Sequence, residues 1–185
     1  MHQKLLLPIA ILFLPGLAAC VHSGNTPVQE EHFKPTATVQ DIMLSLIDPS
    51  ADAIWNSVST IITKAGTEDK QPHTDQEWQE VRRNAITLIE GTNLLLIKGR
   101  QVAAKGVKSE NPGIEEGPEE VQRLLDADWA SYVKFAHELH DSGVQALAAI
   151  DAKKPADLVA VGGRIDDACE QCHRHFWYPN QNKPK

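Results

Sequence analysis

Two cysteines and a histidine near the C-terminus are the residues best placed to do chemistry: Cys169-Glu170-Gln171-Cys172-His173. On a helix, positions i and i+3 share a face. Both thiols can therefore reach the two vinyl groups of one porphyrin and form thioethers with it. The next residue, His173, then offers an imidazole nitrogen to the iron as proximal ligand. Read this way, the pentapeptide is a c-type haem attachment site. A redox-active dithiol, half of a zinc site and two unconnected cysteines stand beside that reading. A redox C-x-x-C normally opens a helix after a strand, whereas this one lies near the end of a long helical pattern. A zinc site asks for two further ligands at similar spacing; His175 is at hand, but there is no second cysteine pair.

The N-terminus bears on the compartment. Lys4 precedes Leu5-Leu6-Leu7 and an apolar run from Ile9 to Leu17 that closes in small residues, the layout of a secretory signal peptide. The run is too short, and too interrupted by Pro8 and Pro15, to span a bilayer as a helix. Leu17-Ala18-Ala19-Cys20 resembles the lipobox of bacterial lipoproteins, in which a signal peptidase cuts before the cysteine and the thiol carries a diacylglycerol. An ordinary A-x-A-type site with an incidental cysteine is the alternative. Several acyl chains hold a protein stably on a membrane where one alone does not. The chain has three cysteines, so Cys20 for lipid with Cys169 and Cys172 for haem leaves none for a disulfide. Covalent haem attachment takes place beyond the inner membrane, where an export signal would deliver the chain. Both ends thus point to the periplasm. Val21, rather than an aspartate, follows the lipid cysteine and tilts the expectation toward the outer membrane.

The elements that must position the motif are helical. Removing residues 1–19 leaves enough chain for one domain with a sizeable core. Residues 20–35, with Ser23, Gly24, Asn25, Pro27 and Pro35, read as a lipidated tether, and residues 181–185 as a tail. Between them, residues 36–180 carry four helical patterns and no convincing strand. The first runs from about Thr38 to Lys64 on Val39, Ile42, Met43, Leu46, Ile47, Ile54, Trp55, Val58, Ile61 and Ile62. Asp48-Pro49 interrupts it, Asp being a good N-cap and Pro favoured just inside a helix start, so a break or kink is expected there. The second opens on the T-x-x-E capping box of Thr74 and Glu77, and continues through Trp78, Val81, Ala85, Leu88, Thr92 and Leu95. Residues 105–118 read as a long solvated loop, in which the acidic run from Glu115 to Glu120 marks the next helix start. The third helix follows to about Ile150, on Val121, Leu125, Tyr132, Phe135, Leu139, Ala146 and Ile150. A break at Lys153-Lys154-Pro155 begins the fourth, striped by Leu158, Gly162, Ile165, Cys169, Cys172 and Phe176. The haem cysteines thus lie on the inward stripe. Helices on the order of 20–28 residues, about 30–42 Å long, with short or moderate connections favour an all-α, antiparallel four-helix bundle with haem in its core.

Four helical patterns with C-x-x-C-H on the last resemble the class II c-type cytochromes, the cytochrome c′ group. The likeness is specific around Cys169, Cys172, His173 and Phe176, which fit the group's C-x-x-C-H-x-x-[F/Y]. Members commonly place a basic residue after that aromatic; this chain has Trp177, then Tyr178-Pro179. The Phe176-Trp177-Tyr178 cluster reads as packing against the haem or capping the bundle end. The resemblance implies that the sixth iron position faces the N-terminal part of the first helix. A methionine there gives a six-coordinate electron carrier, and an apolar residue a five-coordinate iron that binds nitric oxide or carbon monoxide. Met43 is the only methionine besides Met1 and lies early in that helix. It also shares a stripe with Val39, Leu46 and Ile47, where methionine commonly fills gaps.

The other histidines, His22, His32, His73, His137, His140 and His175, read as exposed or locally hydrogen-bonded rather than as iron ligands. Arg82, Arg83, Arg164 and Arg174 are candidate partners for haem propionates, with Arg164 and Arg174 ranked first because they share the haem-bearing helix. A net charge of −7 without Lys/Arg clusters argues against nucleic acid and against electrostatic docking to anionic lipid. No acid/base pair or nucleophile constellation indicates an enzyme. The leading expectation is a lipid-anchored, monohaem one-electron carrier meeting periplasmic or membrane redox proteins at small interfaces, with homodimer formation open. A five-coordinate binder of NO or CO is the second expectation. A lipoprotein whose haem serves a structural or sensing role is the third.

Overall fold

The computed structural model describes residues 33–179 and residue 181. The signal peptide, Cys20, most of the tether, His22, His32 and nearly all of the tail lie outside the described residues.

Most of the described chain is helical. The first segment begins at Thr38, whose hydroxyl accepts from the Asp41 amide at 3.0 Å while the Asp41 carboxylate accepts from the Thr38 amide at 2.8 Å. This reciprocal cap starts α1 (Val39–Ile42). The chain then widens into a π-turn over Met43–Ile47 before α2 (Asp48–Trp55). The expected break at Asp48-Pro49 is therefore corrected: the helix runs on through a wide turn, and Asp48 has helical dihedrals instead of acting as a cap. Proline lacks an N–H and its ring collides with the carbonyl four residues back. A turn closed five residues back, with the Asp48 amide on the Met43 carbonyl, relieves that crowding without ending the helix.

The first helix also stops nine residues early. In place of its expected last turns stands an antiparallel hairpin, β1 (Ser59–Thr63) with β2 (Gly66–Lys70), in register Thr63 to Gly66 and Ser59 to Lys70. Val58, Thr60, Ile61, Ile62 and Thr63 form a β-branched run that suits an extended backbone better than a helix. Gly66, at φ +136°, supplies a conformation other residues rarely adopt. Thr60 and Asp69 add a cross-strand hydrogen bond of 2.7 Å. Ile61 and Ile62, read as stripe residues, are exposed.

The capping box of Thr74 and Glu77 forms as expected and opens α3 (Asp75–Leu95). Trp78, Val81, Ala85, Leu88, Thr92 and Leu95 are all buried. The expected third helix is two: α4 (Pro118–Ala127) and α5 (Trp129–Asp151). Asp128, at φ −131° and ψ 56°, separates them, and its carboxylate accepts from the Ser131 amide at 3.2 Å, so an N-cap inside the pattern restarts the helix. Lys153, at φ +52°, and Pro155 make the break before α6 (Pro155–Phe176).

The elements pack around one core. Helix α3 lies along α5, α5 lies along α6, and α2 touches both α3 and α6. Gly143 permits the close approach of α5 to α3: a Cβ there would stand 2.8 Å from Ile89 Cγ1. Ile54, Leu88, Ile150, Leu158 and Ile165 are fully buried at the centre. The segment from 96 to 117 is longer than the loop read from the sequence and ties two ends of the fold together. Val39 and Gln40 donate to the carbonyls of Gln101 and Val102 at 2.9 Å, and the Glu116 amide donates to the Trp177 carbonyl at 2.7 Å.

Candidate cofactor site

The last three turns of α6 build the site. Leu158, Gly162, Ile165 and Phe176 are buried, and Cys169 and Cys172 continue their stripe as partly buried side chains packed against the core. Neither cysteine is in a disulfide. Burial pushes the Cys169 thiol up to about 11, with help from the carboxylates of Asp166, Asp48 and Glu170, and the Cys172 thiol up to about 12, with help from the Cys169 thiol beside it. Thiols that attack disulfides have depressed values, so this environment does not suit a redox dithiol. Among the described residues, no group of three His, Cys, Asp or Glu side chains is placed to hold a metal ion alone.

His173 is partly buried, and burial holds its imidazole below the ordinary histidine range, so the ring is neutral with a lone pair to give. The chain beyond the helix folds around it. The amides of Trp177 and Tyr178 both donate to the His173 carbonyl, at 2.7 and 3.0 Å. Their rings stand edge-on to the imidazole, with centroids at 5.1 and 6.2 Å. Glu170, one turn earlier, accepts from the Tyr178 hydroxyl at 2.5 Å and from Arg174 at 2.7 Å. The aromatic cluster read as packing thus encloses the histidine: Phe176 goes into the core, and Trp177 and Tyr178 flank His173.

The first helical segment meets α6 through α2. Asp48 is close enough to act electrostatically on both Cys169 and His173. Met43 lies one π-turn before Asp48, partly buried and packed against the core. Arg164 is exposed and donates to Gln145; Arg174 is engaged by Glu170. Arg82 pairs with Asp151 at 2.7 Å, far along the fold from the motif. His73 and His137 are exposed, His140 lies 3.2 Å from Asp141, and His175 Nε2 lies 3.0 Å from Asp128 Oδ2.

Sequence reasoning passed over the polar groups of two buried residues. Arg100, in the long loop, is buried and donates to the carbonyls of Leu94 at 3.0 Å and of Ala37. Tyr132, counted only as a stripe residue, is buried against Phe176, with ring centroids 5.9 Å apart, and its hydroxyl has no hydrogen-bond partner among the described residues. A tyrosine on a wholly apolar stripe was the available signal, because a buried phenol ordinarily finds a hydrogen bond. Arg100 gave no signal in sequence, since its burial depends on how the loop folds back.

Haem suits this donor set. Two neutral thiols share a face, a neutral imidazole follows them, and aromatic rings flank that imidazole. No protein-family model and no curated protein matches the sequence. Among solved structures the chain is similar to a cytochrome c′, at 18% identity over 76% of this chain and 98% of that one, with a TM-score of 0.47. The functional reading rests on the residues themselves.

Proposed function

We propose that this protein is a monohaem c-type cytochrome of the class II kind, a four-helix bundle that works as a membrane-tethered, periplasmic one-electron carrier. The observation that carries the proposal is the pairing of Cys169 and Cys172 on one partly buried stripe, with a neutral His173 directly after them. Cys169 and Cys172 would hold the haem covalently and His173 its iron. The group supplies reversible one-electron Fe(III)/Fe(II) chemistry. The chain's part is to hold the imidazole still, through the edge-on rings of Trp177 and Tyr178, and to keep water from it. Little has to move when charge changes in so packed a setting, which is what an electron carrier needs. An acidic exterior fits transient docking to redox proteins rather than to nucleic acid. Cys20 would carry the lipid.

The placement of Met43 supports two versions. Its position in the first helical segment, which packs on α6 through α2, favours thioether ligation and a six-coordinate carrier. Its packing against the core favours a gap-filling role and an open iron that takes NO or CO. The test of the whole reading is the pyridine haemochrome spectrum of the exported, purified chain. One covalent haem per chain is expected, lost in the Cys169→Ala/Cys172→Ala variant; a correctly exported chain without covalent haem refutes the proposal.

A further inference from the structure

Helix α6 ends at Phe176, and Pro179, which has no N–H to donate, keeps the chain from continuing it. The residues between fold back over the motif as a short strap. The amides of Trp177 and Tyr178 share the His173 carbonyl, at 2.7 and 3.0 Å, and the Glu116 amide of the long loop donates to the Trp177 carbonyl at 2.7 Å. The Tyr178 hydroxyl donates to Glu170 Oε2 at 2.5 Å, while Arg174 Nε donates to Glu170 Oε1 at 2.7 Å.

Glu170 precedes His173 by three residues and Arg174 by four, so the three share a face of α6. Tyr178 therefore brackets the imidazole. Its amide is on the His173 carbonyl, its ring stands edge-on to the imidazole with centroids 6.2 Å apart, and its hydroxyl is on the carboxylate one turn earlier. Trp177 adds a second edge-on ring at 5.1 Å and also touches the Tyr178 ring, with centroids 5.9 Å apart, so fixing one ring restrains the other. Ring contacts alone are weak. A hydrogen bond to an ionised carboxylate is stronger and directional. The Tyr178 hydroxyl, and then Arg174, hold the Glu170 carboxyl below the usual carboxylate range, so the acceptor is ionised.

We propose that Tyr178 is a positioning residue for the haem iron: its hydroxyl bond to Glu170 locks the strap and thereby sets the rotational orientation of the His173 imidazole. This deepens the haem reading above and rests on it. It gives a task to Glu170, a spacer residue between the two cysteines, and to a tyrosine beyond the helix end. It also divides the aromatic cluster, with Phe176 serving the core and Tyr178 the ligand.

The experiment uses the full chain with its haem attached. Tyr178→Phe, Glu170→Leu, the double variant and Glu170→Gln are compared with the native protein by haem content, thermal midpoint and ferric proton NMR. In that spectrum the spread of the hyperfine-shifted haem methyl resonances follows the plane of the axial imidazole. Tyr178→Phe keeps the ring and loses the bond, so haem content should stay full while the methyl pattern shifts. Glu170→Leu should give the same shifted pattern, and the double variant should go no further, because either change removes the same bond. Glu170→Gln keeps an acceptor for the hydroxyl and removes the charge, so it should return the native pattern. Should Glu170→Leu fail to load haem, Tyr178→Phe and Glu170→Gln decide. A haem-loaded Tyr178→Phe protein with the native pattern, even at a lower thermal midpoint, has lost only a stabilising bond and overturns this inference. A Glu170→Gln pattern that departs as far as that of Glu170→Leu also overturns it, since charge rather than the bond is then responsible. Either result leaves the cytochrome reading intact. A native chain without covalent haem overturns both.

Discussion

At the residue scale, the site divides into a half whose chemistry is set by adjacency and a half set by folding. Cys169, Cys172 and His173 are neighbours in sequence, so any helix places them together, and burial does the rest by keeping thiols and imidazole neutral. Met43 must be brought from more than a hundred residues away. Met43→Leu nearly conserves volume, and such swaps in a packed core cost less than about 1.5 kcal/mol. The variant should therefore fold and keep its haem while losing any thioether ligand. If Met43 binds the iron, the native ferric protein is low-spin with a methionine–iron charge-transfer band, and Met43→Leu turns it high-spin and able to bind ferrous CO. Native protein that is already high-spin and CO-reactive, with a spectrum that Met43→Leu leaves unchanged, removes Met43 from the iron. It leaves the gas-binding version standing.

At the element scale, helix starts with a chemical signature were legible and helix interiors with a conflict were not. Thr74 and Glu77 announce α3, and the cap forms with bonds of 3.2 and 2.8 Å. Thr74→Ala should cost about 1 kcal/mol, read as a lower denaturation midpoint in urea. The amides of His73 and Thr74 hold the Glu77 carboxyl below the usual carboxylate range. A depressed folded value means that this stabilisation is present above the unfolded value and is lost as pH falls through the folded one, in the region below about pH 4. Glu77→Gln should accordingly lower the thermal midpoint at pH 7 and bring the two proteins together in acid. A midpoint difference that persists at low pH argues against this cap. Elsewhere two local preferences competed. Ile61 and Ile62 continue a helical period but belong to a β-branched run, and the exposed hairpin shows that no core position waited for them. Asp128 sits within a helical period but caps better than it propagates, so one expected helix became α4 and α5. Asp48-Pro49 was visible as a disturbance, yet a proline can be absorbed by a π-turn as readily as by a break, and sequence does not choose between them. The burial of Arg100 depends on a loop path that no periodicity records.

At the scale of the whole molecule, the C-x-x-C-H motif and the lipobox-like segment stand at opposite ends of the sequence, and the proposed function links them through one compartment. The part that carries the haem motif forms a compact unit from Phe33 onward, and its first helix is started by its own capping pair, Thr38 and Asp41. That cap is made within the described residues, so on the proposed reading anchoring and haem binding should be separable. Cys20→Ser removes the thiol that a diacylglycerol would use. The variant is expected to leave the membrane fraction and appear as a soluble periplasmic protein with the same haem content, spin state and midpoint potential as the anchored form. A net charge of −7 disfavours electrostatic attachment to anionic headgroups. A Cys20→Ser protein that still sediments with membranes and is released by high salt would mean that a charged partner, not a lipid, holds it there. The altered mobility of the native chain after metabolic labelling with a fatty acid supplies the complementary measurement. If label is absent from native protein that carries haem, the lipid anchor is refuted while the cytochrome remains. The order of events also follows from separability. On the proposed reading haem would be attached beyond the inner membrane to the unit from Phe33 onward, so an anchored and an unanchored chain should acquire haem equally well.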